Sequence, residues 1–366
     1  MNGFFTGFPP ARDWFYGVRT FAASMIALYI AMLMQMPRPY WAMATVYIVS
    51  SPFVGPTSSK ALYRAIGTFM GAAAAVLFVP MFVQSPYMLV VVIALWTGTL
   101  LFLSMHLRTA NNYALMLAGY TLPLIALPVV DNPLAVWDVA EARTEEIFLG
   151  IVVAAVVGAM FWPRRLMPVF DGSVAKWFAD AQVYSQRFIT RNVQPEEIST
   201  LRGGMVATFN TLELMIGQLP HEGARPQTVR NTKELRGRMI HLLPVVDALD
   251  DALYAIEHRA PEFLDKITPL LEATRQWLED TQEAAPMERW RVLRDQVDAL
   301  QPSGEALDDR HTLLFSNALY RLAEWIDLWQ DCRSLQAAIQ CESQDTWRAV
   351  YRHCAWAGSR RSSTVG

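Results

Sequence analysis

Over the first 166 residues apolar positions run together instead of alternating with polar ones. Six such runs appear, at about 17–36, 41–54, 62–83, 86–105, 112–130 and 144–162. A bilayer core of about 30 Å takes about 20 mostly apolar residues per helix. The runs therefore predict six membrane helices, the second one short and carrying Pro52. The sixth is the sharpest: charges at Arg143, Glu145 and Glu146, then Ile147 to Trp162 without a charge, then Pro163-Arg164-Arg165. From Met167 onward apolar residues recur every third or fourth position, as in Leu242, Val245, Val246, Leu249 and Leu253. That period predicts amphipathic helices, at about 169–190, 195–218, 227–257, 261–281, 286–300 and 305–340. Pro195, Pro261 and Pro286 fit the first turn of a helix. No strand pattern stands out.

The expected fold class is all-α: a six-helix transmembrane bundle over residues 1–166, then a cytoplasmic helical bundle over 167–353. Residues 354–366 end in a small, polar, basic stretch that is expected to be unstructured.

Composition follows the same division. Apolar residues make up 53% of the chain and charged residues 18%, against about 45–50% and about 25% in soluble domains. Residues 1–166 hold nine Lys and Arg against six Asp and Glu; the remainder holds 22 against 28. Neither part is basic enough to suggest nucleic acid. The run from Thr20 to Met36 is long for a signal-peptide core and lacks a small-residue cleavage site, so it is expected to be a retained helix. Cys332, Cys341 and Cys354 match neither a zinc site nor a disulfide framework, which suits a reducing compartment. There is no phosphate-binding glycine loop, no HExxH and no nucleophile elbow. No enzyme activity, cofactor or metal is expected.

Charge in the loops sets the orientation. Arg12, Lys60 with Arg64, Arg108, and Arg164 with Arg165 fall on one side; Arg38, Asp131, Asp138 and Glu141 fall on the other. The positive-inside rule puts the first set, and hence the N-terminus and the second domain, in the cytoplasm. Trp14, Tyr16, Tyr40, Trp41, Tyr87, Trp137 and Trp162 cluster near run ends, where amphipathic rings favour the interface. Gly67 and Gly71 form a GxxxG pattern, and Gly150, Ala154 and Gly158 repeat that spacing; both predict close helix packing.

Charge inside a span is unfavourable by about 2.5–3.5 kcal/mol at a helix centre and marks functional candidates. Arg143 and Glu146 stand three apart, on one helical face, and can pair. Glu146 lies in line with Gly150 and Ala154, the stripe expected to face protein. A guanidinium can take a carboxylate in a bidentate fork, and a buried carboxylate can exchange a proton. Snorkelling to the outer surface is the competing explanation, which position alone does not remove. Arg19 is expected to snorkel. Lys60 and Arg64, four apart, signal topology or attract anions to the inner mouth. His106 is expected to be structural.

Several segments in order resemble the fusaric acid resistance family, the aromatic acid exporters of bacterial inner membranes. They are Pro39-Tyr40-Trp41-Ala42, Ser59 through Arg64 to Gly67-Thr68 and Gly71, and Arg108 and Tyr113 through Leu117-Ala118-Gly119-Tyr120-Thr121. Arg143-Thr144-Glu145-Glu146 to Gly150 and the closing Pro163-Arg164-Arg165 complete the set. The resemblance is specific over 15–166 and mainly one of layout over 167–353. It implies an inner-membrane efflux subunit for aromatic carboxylic acids of the hydroxybenzoate or fusaric acid class. It also implies proton coupling and a periplasmic membrane-fusion adaptor. Tyr40, Trp41, Lys60, Arg64, Tyr120, Thr121, Arg143 and Glu146 fall on the family's patterned positions. On physical grounds Arg143 would hold the carboxylate, Tyr120 or Trp41 would stack on the ring, and Glu146 would trade the proton.

Family members generally repeat the plan of six spans and a cytoplasmic region. Here Tyr351-Arg352-His353 is followed by Cys354-Ala355-Trp356 and the polar tail. The expectation is a truncated or frameshifted exporter half; a genuine half that pairs as a homodimer is the rival. Two other functions compete with the exporter. One is a passive anion channel, since plant malate channels share the six-span plan. The other is a membrane scaffold that transports nothing.

Overall fold

The computed structural model describes residues 11–107, 111–161, 163–190, 195–279, 286–302 and 309–359. Among these residues regular structure is helical throughout. The chain divides into two compact units: 1–166 with 217–223, and 167–216 with 224–366.

The first unit holds α1 (Ala11–Leu33), α2 (Tyr40–Val49), α3 (Val54–Phe82), α4 (Pro86–His106), α5 (Asn112–Ala126) and α6 (Val136–Met160). A 3₁₀ turn, Leu127–Val129, continues α5. α1, α3, α4 and the segment Asn112–Val129 are long and apolar enough to cross a membrane. Such spans keep every backbone hydrogen bond inside the segment, as lipid demands. Six spans were expected, and two elements differ. α2 stops at Val49, short of the expected 54, because Ser51 precedes Pro52 and is pushed toward extended backbone. Its ten residues reach about 15 Å, half a bilayer core. α6 begins at Val136, eight residues earlier than expected, and carries Arg143, Glu145 and Glu146 well inside it.

α1 ends in a Schellman motif. Gln35 takes a left-handed φ of 57°, and Met36 N–H donates to the Ala31 carbonyl at 3.0 Å. Glycine is usual at this position; glutamine here is strained.

Small residues bring the helices of this unit together. A Cβ on Gly67 would meet the Ala114 carbonyl oxygen at 2.5 Å, and one on Gly71 would meet Thr121 Cβ at 2.5 Å, so α3 and α5 touch backbone to backbone. Gly150 does the same for α6 and α2, its Cβ position lying 2.5 Å from the Ala42 carbonyl oxygen. Gly158 meets nothing, so the stripe expected along α6 packs only through Gly150 and the buried Ala154. α1 packs on α2 and α6 through Ala23, Ala27 and Ala31. The 217–223 segment belongs to this unit because Glu222 anchors it. Its carboxylate accepts from Gly55 N–H at 3.1 Å and Leu166 N–H at 2.9 Å.

The second unit holds α7 (Met167–Ile189), α8 (Pro195–Gln218, as far as Ile216), α9 (Pro226–Arg259), α10 (Leu264–Glu279), α11 (Pro286–Ala299) and α12 (Arg310–Ser359). α9 and α12 form its spine. Its core is large and aromatic, with Phe170, Trp177, Trp325 and Trp329 buried among leucines. α12 was expected to stop near 340 and the chain to lose structure from 354. The helix instead continues to Ser359, while 360–366 lie outside the described residues.

Candidate functional site

Four helices of the first unit bring polar groups to one buried region. α6 supplies Arg143, 5% exposed, and Glu146, 1% exposed. The two do not form the ion pair that their spacing suggested. Arg143 sits over the Trp41 ring of α2, its Cζ 3.9 Å from the ring centroid. This is a close cation–π contact. Glu146 Oε1 accepts the backbone N–H of Arg38 at 2.6 Å, so the carboxylate ties the α1–α2 connection to α6. The guanidinium is left with Nε unpartnered, and the Trp41 indole N–H is unpartnered beside it.

α3 supplies Arg64. It was expected at the first turn of a span, but α3 begins at Val54, ten residues earlier. Arg64 is 1% exposed and its Nη2 donates to Thr45 Oγ1 of α2 at 3.2 Å. Lys60, one turn before it, is exposed, so the structure parts the two cations that sequence placed together. α5 supplies Tyr113, beside Arg64, and Tyr120, within electrostatic range of Arg143. Arg64 and Arg143 are themselves electrostatic neighbours.

The structure thus gathers Trp41, Arg64, Tyr120, Arg143 and Glu146. Tyr40 is half exposed and tilts against Trp41, ring centroids 5.6 Å apart. Thr121 is buried, with Cβ against Gly71, so its first use is packing. Thr45 joins the region without having been named in the sequence analysis, and Thr68, named there only within the Gly67-Thr68 segment, lies one turn from Arg64. The available signal was helical spacing: Thr45 is four residues after Trp41, and Thr68 four after Arg64, which puts each pair on one face.

Arg19 and His106 were also named in the sequence. Arg19 was expected to snorkel; it donates to the Phe161 carbonyl at 2.8 Å and the Ser51 carbonyl at 3.3 Å, clamping the ends of α6 and α2. It borders a cavity of about 420 Å³ lined by Arg12, Phe15, Tyr16, Phe161 and Arg164. His106 is exposed, its Nδ1 2.9 Å from the Phe102 carbonyl. Arg108 and Trp162 lie outside the described residues.

The fusaric acid resistance protein family matches residues 13–364. Relatives include the p-hydroxybenzoic acid efflux pump subunit AaeB of Enterobacter cloacae, 28% identical over 261 residues, 68% of this chain and 38% of that protein. The AaeB subunit of Escherichia fergusonii is 26% identical over 258 residues, 68% of this chain and 39% of that protein. That of Salmonella arizonae is 26% identical over 275 residues, 72% of this chain and 41% of that protein. The chain therefore spans about two-fifths of the length of these relatives. With a family match that runs through both units, this chain belongs to the fusaric acid resistance protein family.

Proposed function

We propose that the chain is the first half of an inner-membrane exporter of aromatic carboxylic acids of the hydroxybenzoate class. In this reading α1 to α6 form a six-span unit, with the N-terminus and the second unit in the cytoplasm. A second transporter half or a second copy completes the pathway, and a periplasmic membrane-fusion adaptor receives the substrate. The supporting observation is the Arg143 guanidinium held over the Trp41 ring, buried, with an unpartnered donor. A guanidinium so placed is pre-oriented for a carboxylate. Tyr120 offers a ring face to the substrate's ring, and Tyr40 and Thr121 flank it. Because Trp41 already carries Arg143 on one face, its role is to orient the cation, and Tyr120 becomes the stacking partner. Lys60 is the exposed cation that draws anions toward the inner end.

Glu146 carries the proton. Its ionised carboxylate accepts from Arg38 N–H; protonation weakens that bond and loosens the connection it holds. Binding of substrate to Arg143 and protonation of Glu146 would then be linked through α6. The runner-up is a passive anion channel. It is favoured by the absence of an Arg143–Glu146 pair, which leaves the arginine as a fixed positive charge.

Export of radiolabelled 4-hydroxybenzoate from cells lacking such exporters tests the reading, with the full chain expressed and an uncoupler added or withheld. Uncoupler-sensitive export that Arg143→Ala reduces by about tenfold or more supports it. Export indifferent to the uncoupler and to Glu146→Gln, with a conductance in reconstituted bilayers, supports the channel. Unchanged export in Arg143→Ala sinks both.

A further inference from the structure

We propose that Arg64, Tyr113 and Thr68 form a second anion subsite, one that takes a carboxylate and is separate from Arg143 on Trp41. The inference rests on the reading of the first unit as a pathway for aromatic carboxylates. Arg64 is a buried cation that the protein leaves open. Nη2 is spent on Thr45, while Nε and Nη1 have no hydrogen-bond partner. None of the ion pairs among the described residues includes Arg64 or Arg143.

The neighbours of Arg64 are hydroxyls. The Tyr113 hydroxyl lies beside it, buried and within hydrogen-bonding reach of the guanidinium. Thr68, one helical turn further along α3 and 2% exposed, has an unpartnered Oγ1. Buried polar groups in folded proteins are nearly always satisfied, and an exception calls for an explanation. The charge therefore needs an anion. Glu146 does not supply it, because its carboxylate is engaged at Arg38. Arg143 adds a second positive charge nearby, which raises the demand.

The requirement is for a compact, planar monoanion with several acceptor lone pairs. A carboxylate meets it, accepting from the open guanidinium nitrogens while the two hydroxyls donate to its remaining lone pairs. With Arg143 as the first receptor, Arg64 gives the same carboxylate a second place to rest, on α3 instead of α6. Chloride shares the negative charge and is the other source of an anion.

Benzoate binding to the purified full chain in nanodiscs, followed by calorimetric titration in chloride-free buffer, tests the proposal. Arg64→Gln is expected to weaken binding by about tenfold or more. Arg64→Lys should recover part of the loss, and Tyr113→Phe, which removes one hydroxyl from a folded core, should weaken binding about threefold. If Arg64→Gln fails to fold, Tyr113→Phe and Arg64→Lys carry the test. Wild-type affinity in all three variants, with binding lost in Arg143→Ala, overturns the second subsite and leaves the proposed function standing. Absence of benzoate binding to the wild-type chain overturns both. Repeating the titration in chloride separates the sources. Competition by chloride that disappears in Arg64→Gln without loss of benzoate affinity assigns the subsite to a solvent anion and overturns the carboxylate.

Discussion

The two units bury opposite kinds of residue and treat arginine in opposite ways. The first unit closes largely on alanine, glycine and threonine, with Ala27, Ala31, Ala42 and Ala118 wholly buried and many of its large side chains turned outward. The second closes on tryptophan, phenylalanine and leucine. Lipid tails are as apolar as leucine, so between membrane helices there is little hydrophobic gain and close backbone approach must do the work. In water the gain from burying a large ring is the main driving force. Arginine follows the same divide. Arg187, Arg202, Arg236, Arg275 and Arg294 of the second unit sit on carboxylates, whereas Arg64 and Arg143 are buried without one. In the second unit these arginines are surface residues satisfied by carboxylates; Arg64 and Arg143 in the first are buried without one.

Removing a ring from the aromatic core should produce the largest loss. Trp325 is fully buried, stacked on Trp329 with centroids 5.7 Å apart and edge-on to Trp277 at 6.3 Å. Trp325→Ala is expected to destabilise by about 3–5 kcal/mol, read as a lower unfolding midpoint of the full chain by tryptophan fluorescence. A midpoint unchanged would mean that the ring cluster does not hold the unit together.

In the first unit, adding one methyl should do what removing a ring does in the second. Gly67→Ala places a Cβ 2.5 Å from the Ala114 carbonyl oxygen and 2.6 Å from Leu117 Cβ. The backbone oxygen cannot rotate away, so α3 and α5 must separate, at about 1–3 kcal/mol. Gly203→Ala in α8 meets nothing within 4 Å and should instead stabilise by about 0.4–1 kcal/mol. Detergent unfolding of the two variants checks the sign of each change. Equal responses would erase the contrast between close-approach packing and open helix surface.

These differences were only partly legible in the sequence. α8 and α11 start where Pro195 and Pro286 announced them, and α4 runs from Pro86 to His106, because proline fixes a helix start locally. The packing role of Gly67, Gly71 and Gly150 was also visible, since a four-residue spacing of small residues has one dominant use. Burial of Arg64 was not visible. Apolarity placed its helix start at 62, but polar residues from Val54 onward are already helical. That moves Arg64 about 12 Å along the axis. Arg143 was displaced in the same way when α6 began at Val136. Nor could spacing show that Arg143 would choose Trp41 over Glu146. That choice depends on the first turn of α2 packing against α6, a tertiary event with no local signature.

The smallest expected effect concerns a polar group that the second unit does satisfy. The Tyr184 hydroxyl donates to Asp247 Oδ1 at 2.7 Å, and Asp247 Oδ2 receives Arg202 at 2.8 Å. Burial first, and the neighbouring carboxylate second, push the Tyr184 phenol well above its ordinary value. The folded state thus holds the proton more tightly than the unfolded chain, where the phenol titrates near 10. Its contribution to stability is complete below that pH and is lost as pH rises past it toward the folded value. Tyr184→Phe removes one hydrogen bond to a charged acceptor, an effect of about 1.5 kcal/mol at neutral pH, while Arg202 still covers Asp247. The difference between wild type and Tyr184→Phe should then shrink as the medium is taken above pH 10, because ionisation takes from the wild type what the mutation has already removed. Unfolding midpoints of the two full-length chains, measured across that range, give the comparison. A gap that stays constant or widens would show that the hydroxyl is not a closed, neutral donor, and the second unit would then share the open chemistry of the first.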